Sequence, residues 1–85
     1  MQLSRKEILE KLQDIMISIN DNDRERIEAC TEQTRLVEDL GLTSVGMLYL
    51  VIVLEESFRI KFEDVGAATF STVAKVIDYI EEKIK

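Results

Sequence analysis

Residues 36–58 read LVEDLGLTSVGMLYLVIVLEESF, and the change of character inside that stretch decides the fold. Its first part is punctuated like a loop, with the acidic pair Glu38 and Asp39 followed by Gly41. From Val45 onward it is an apolar run with helix-compatible spacing. Ser44 stands at the join. A hydroxyl there lies beside the free N–H groups and positive end of a helix, where a phosphate ester is stabilised. Thr43 is the expected N-cap of a helix over residues 44–57, its hydroxyl accepting from first-turn amides. No residue from Val45 to Leu54 is charged, whereas a surface helix normally presents a polar face. A small bundle has too few neighbours to cover such a helix, so apolar surface drawn from Val45, Leu48, Tyr49, Ile52 and Val53 is expected to be displayed.

Upstream, Ser4-Arg5-Lys6-Glu7 has capping-box spacing and opens a helix over residues 4–19. Ile8, Leu9, Leu12, Ile15, Met16 and Ile19 recur on one face, with Glu10, Lys11, Gln13 and Asp14 opposite. Residues 20–43 are polar and read as a long connection, which must hold a small helix or carry function; residues 24–30 are long enough for one or two turns. Asp21, Asp23, Glu25 and Glu32 fall at calcium-loop positions, but Arg26 takes the place of the glycine that such a loop needs, so a solvated acidic loop is expected instead.

Downstream, residues 59–62 alternate polar and apolar too briefly to make a sheet, and residues 63–68 suggest a short acid-started helix. Ser71 is positioned to cap a final helix over residues 72–84, with Val73, Val76, Ile77, Ile80 and Ile84 as its apolar stripe. The expected architecture is all-α: a small four-helix bundle with a long loop between the first and second helices and a short third helix, forming one domain over residues 1–85.

The chain has 85 residues, 46% hydrophobic and 33% charged, with three glycines and no proline, a helix-and-loop composition of globular type. Its net charge of -6 disfavours nucleic acid and anionic membrane and suits partners with basic patches. The single cysteine, Cys30, cannot form an internal disulfide and reads as a small apolar core residue in a reducing compartment. Neither a secretory signal nor an apolar run of membrane-spanning length is visible, so a cytoplasmic chain is expected.

With no histidine and one cysteine, the chain lacks the usual ligands for zinc and the usual base for a serine or cysteine nucleophile, so catalysis by this chain alone is not expected. Gly41 and Gly46 have P-loop spacing, yet Met47 stands where the lysine belongs and no strand precedes them. Leu42 likewise breaks a G-x-S-x-G elbow at Ser44. Ser44 is therefore a residue acted upon by another protein.

The same residues resemble the acyl carrier proteins and their carrier-domain relatives. Residues 34–42 resemble the family's loop into its second helix, Thr43-Ser44-Val45 occupies its Asp-Ser-Leu signature, and residues 54–58 with Ile60 and Asp64 resemble the end of that helix. Residues 76–80 resemble its last helix. The resemblance implies that Ser44 carries 4'-phosphopantetheine, transferred from coenzyme A by a separate phosphopantetheinyl transferase, and that the arm's thiol presents an acyl or aminoacyl group to loading and synthase enzymes. It implies a monomeric carrier and a shelter for an apolar chain lined or supported by Leu50, Leu54, Phe58, Ile60 and Phe62.

Three positions depart from the family. Thr43 replaces the aspartate before the serine, and Tyr49 and Gly46 replace acidic residues of the recognition helix, which removes much of the usual charged docking face. Docking is therefore expected on apolar Met47, Leu48, Tyr49 and Ile52, flanked by Thr43, Val45 and Glu55. These departures favour a specialised polyketide, peptide or lipid pathway over general fatty-acid synthesis. The alternative is a carrier-like bundle that is no longer modified and binds proteins through the same helix.

Overall fold

The computed structural model describes residues 3–19, 24–62 and 70–84, and among these it contains four helices in the order α1 (Arg5–Ile19), α2 (Arg24–Glu28), α3 (Ser44–Phe58) and α4 (Val73–Ile84). The architecture is the helical bundle expected from the periodicity. The short helix expected at residues 63–68 lies outside the described residues.

α1 begins as its capping box dictates: the Glu7 N–H donates to Ser4 Oγ at 3.1 Å and the Ser4 N–H donates to Glu7 Oε1 at 3.0 Å. These two bonds satisfy amides that a helix start leaves free. The Ser4 amide first, then the Ser4 hydroxyl, hold the Glu7 carboxyl below the usual carboxylate range, with the charge of Lys11 adding a smaller pull. Ile8, Leu12 and Met16 recur every fourth residue and are buried. α1 packs against α2, α3 and α4 and is the element around which the others assemble.

One residue of α1 departs from the amphipathic reading. Gln13, expected on the solvated face, is half-buried and its Nε2 donates to the Ile27 carbonyl at 3.2 Å. That carbonyl belongs to the last turn of α2 and also accepts from the Cys30 N–H at 3.1 Å. Ile27 and Cys30 are buried beneath it, so Cys30 has the apolar packing role expected of it.

The connection from α2 to α3 is tied down by the start of α4. Arg35 and Thr72 form an isolated antiparallel bridge. The Leu36 N–H donates to the Ser71 carbonyl at 3.3 Å, while Val73 and Ala74 donate to the carbonyls of Thr34 and Glu32 at 2.9 and 2.8 Å. This pairing moves the α4 cap by one residue from Ser71 to Thr72, whose Oγ1 accepts from the Lys75 N–H at 3.3 Å. The Ser71 carbonyl is engaged with the loop instead. Leu36 and Leu40, spaced four apart, turn inward and complete the core with Phe70, Val73, Val76, Ile77 and Ile80.

A polar clamp spans the outside of the same region. Arg5 Nη1 donates to Asp78 Oδ1 at 2.6 Å and also to Glu81, and Arg5 Nη2 donates to Glu32. Hydrogen bonds to Glu32, then to Asp78 and Glu81, raise the pKa of the Arg5 guanidinium above its ordinary value. The clamp joins the start of α1, the loop and α4.

Candidate functional site

The loop before α3 turns through Gly41, whose φ of 70° lies in the left-handed region that glycine enters without steric cost. Thr43 then adopts an extended conformation with φ -91° and ψ 171°, and its Oγ1 accepts from the Gly46 N–H at 3.1 Å. This is the N-cap geometry expected of it. Ser44 is the first helical residue and is exposed. Its hydroxyl stands where first-turn amides and the positive end of a 15-residue helix face outward.

The acidic pair upstream is held by its own neighbour. Arg35 Nη1 donates to Glu38 Oε2 at 2.6 Å, and the Arg35 N–H donates to Asp39 Oδ2 at 2.8 Å. The Arg35 backbone, then its side chain, keeps the Asp39 carboxyl below the ordinary range, while Asp39 in turn raises the guanidinium. Arg35 thus offsets much of the charge that these carboxylates present.

Along α3 the apolar residues divide by face. Leu50 and Leu54 have no exposed surface and belong to the core, with Met47 and Val51 half-buried against it. On the other side, Val45, Leu48, Tyr49 and Ile52 keep 77%, 63%, 55% and 48% of their surface exposed. Those figures make one contiguous stripe at steps of three and four residues that begins beside Ser44. Val37, in the preceding loop, is exposed too.

Two residues grouped with that stripe from sequence are placed differently. Met47 leans against the core. Glu55 is half-buried, and its Oε2 accepts from the Phe62 N–H at 2.9 Å. The helix needs this bond where it ends: Arg59 enters the left-handed region at φ 57°, and Arg59 and Ile60 both donate to the Glu55 carbonyl. Glu55 holds the turn from both its backbone and its side chain, a role that spacing alone did not reveal.

The residues expected to shelter an apolar chain lie together on the inner side of α3 and just beyond it. Leu50 and Leu54 are fully buried, and Phe58, Ile60 and Phe62 pack partly against the core. Phe62 is stacked on Tyr79 with ring centroids 4.7 Å apart and meets Phe70 edge-on at 5.6 Å. Among the described residues no helix is long and apolar enough to cross a membrane.

The chain is 33% identical over 81 residues to the acyl carrier protein of Thermotoga maritima, a match spanning 95% of this chain and 96% of that one. It is 36% identical over 77 residues to the acyl carrier protein of Phytoplasma australiense, spanning 91% and 97%. In fold it is similar to the solution structure of a candidate acyl carrier protein from Anaplasma phagocytophilum, with a TM-score of 0.76 at 24% identity over 96% of this chain and 93% of that one. No protein-family model matches the chain. Agreement with curated relatives along nearly its whole length, on a four-helix framework of the same shape, establishes that the chain belongs to the acyl carrier protein family, whose members are carriers and not enzymes.

Proposed function

We propose that this carrier holds an acyl or aminoacyl group as a thioester on 4'-phosphopantetheine attached to Ser44. The observation that supports it is the exposed Ser44 side chain on the first residue of a capped helix, in a family that generally carries this group. The site fits a phosphodiester: the hydroxyl is accessible, and outward-facing amides and the helix dipole favour an anion beside it. When bound, the group supplies a terminal thiol on a long arm. Ser44 supplies the point of attachment, and Thr43 fixes the helix start that positions it. A separate phosphopantetheinyl transferase must supply the base that takes the Ser44 proton, because the chain has no histidine.

Partner enzymes dock on the stripe formed by Val45, Leu48, Tyr49 and Ile52, with Thr43 at its edge. Met47 and Glu55 support that face, the first from beneath and the second from the end of the helix. Leu50, Leu54, Phe58, Ile60 and Phe62 line or support the shelter for an apolar cargo. The carrier works as a single domain and a monomer in the cytoplasm, loaded by acyl- or aminoacyl-transferring enzymes. Thr43 and Tyr49 favour a specialised polyketide, peptide or lipid pathway.

Intact mass after incubation with coenzyme A, magnesium and a panel of phosphopantetheinyl transferases tests the reading. One added phosphopantetheine, absent from Ser44→Ala, is the expected result. No mass gain with any transferase overturns it and supports the second reading, a binding module that uses the exposed α3 stripe without modification.

A further inference from the structure

A depression at the far end of α3, about 20 Å along the helix axis from Ser44 at 1.5 Å per residue, combines an apolar floor with a cationic rim. Its floor is apolar, formed by Leu3, Phe58, Ile60 and Ile84, all of them partly buried against the core. Its rim carries the cations Lys11, Arg59 and Lys83, with Ser57 as the remaining lining residue and no carboxylate in the lining. In a chain with 17 acidic and 11 basic residues, three cations around an apolar floor form a local reversal of sign.

These cations are also available. Arg5 and Arg35 are each occupied by carboxylates, whereas among the described residues none of Lys11, Arg59 and Lys83 forms an ion pair. Lys11 is near enough to Glu7 to help hold its carboxyl ionised, without pairing with it. Lys83 rests its ammonium 5.5 Å from the centre of the Tyr79 ring, a contact that an anion can share or displace. Arg59 is held at the lip by the backbone turn that Glu55 fastens.

The geometry points to a binding site for one single-chain anionic amphiphile, with a carboxylate or phosphate head on the cationic rim and an alkyl chain on the floor. A bare inorganic anion leaves the floor unused, and a neutral apolar molecule leaves the rim unused. An anionic bilayer is disfavoured as the occupant because the whole chain carries a net charge of -6. The site lies at the opposite end of α3 from Ser44 and shares Phe58 and Ile60 with the shelter proposed for cargo, so it is tested on the protein without an arm.

Amide shifts of the 15N-labelled full chain, titrated with decanoate below its micelle concentration, test this. Saturable shifts at Arg59, Ile60, Lys83 and Ile84 are expected, equal in the Ser44→Ala protein and roughly tenfold weaker with decanol or inorganic phosphate, since the rim and the floor act together. Lys11→Gln and Lys83→Gln should each weaken binding about threefold, the scale of one exposed charge contact, and Lys83→Arg should restore it. Both lysines are exposed, so the variants fold. Shifts centred on the Ser44 end, decanol binding as tightly as decanoate, undiminished binding in the double glutamine variant, or binding to anionic vesicles alone would each overturn the proposal.

Discussion

The start of α3 at Ser44 is held by one hydroxyl, the Thr43 Oγ1 that accepts from the Gly46 N–H at 3.1 Å. A hydroxyl before an apolar run names the cap, and the next residue is then the first of the helix. Thr43→Ala removes the acceptor of the Gly46 amide and should destabilise the fold by about 1 kcal/mol in a denaturant titration. Gly46→Ala should act in the other direction. A β-carbon there meets only Leu42 Cδ2 and Thr43 Oγ1, both at 3.4 Å, so the gain in helix propensity, up to about 1 kcal/mol, outweighs a small adjustment. Glu55 was less legible. Nothing in its spacing distinguishes a solvated carboxylate from one that accepts the Phe62 amide, because that partner is set by where the chain goes after the helix ends.

Among the elements, α1 and α4 followed their stripes, since each buries one face and leaves the other polar. For α3, Val45, Leu48, Tyr49, Ile52 and Val53 were the sequence's candidates for outside surface; the packing leaves the first four exposed and half-buries Val53. The helix is built as two faces of similar chemistry and opposite energetics. Leu50→Ala, at a fully buried position, should cost about 3 kcal/mol of stability. Tyr49→Glu, on the exposed stripe, should change stability by no more than about 0.5 kcal/mol while lowering turnover by a partner enzyme. Unchanged partner turnover and affinity would remove the docking role from that face. The cap of α4 moved from Ser71 to Thr72 for a reason no local rule contains: the bridge between residues 35 and 72 joins segments far apart in sequence.

At the scale of the molecule, long-range ties separate what the sequence shows from what it hides. The four-helix class came from periodicity and composition, but the stitching of residues 32–36 to the start of α4 and the Arg5 clamp depend on the tertiary arrangement. The clamp is partly exposed, so solvent screening limits its contribution, and Arg5→Gln should make stability less sensitive to salt rather than unfold the chain. Acid acts through the carboxylates with lowered pKa. Glu7 and Asp39 titrate below their unfolded values in the native state. Their stabilisation is therefore present above the unfolded pKa and lost as pH falls through the lowered one. The thermal midpoint should drop on acidification through that range, and Glu7→Gln should flatten part of the drop.

The burial of Cys30 sets what a sulfhydryl reagent sees. Because the only cysteine of the chain is 8% exposed, a maleimide added under native conditions should leave the unmodified protein almost unlabelled. Once an arm is installed at Ser44, the same reagent should react at one outward sulfur whose labelling is blocked by any cargo, giving a direct readout of charged against empty carrier. Slow labelling of Cys30 itself would then time the opening of α2 away from α1 in the same reaction vessel.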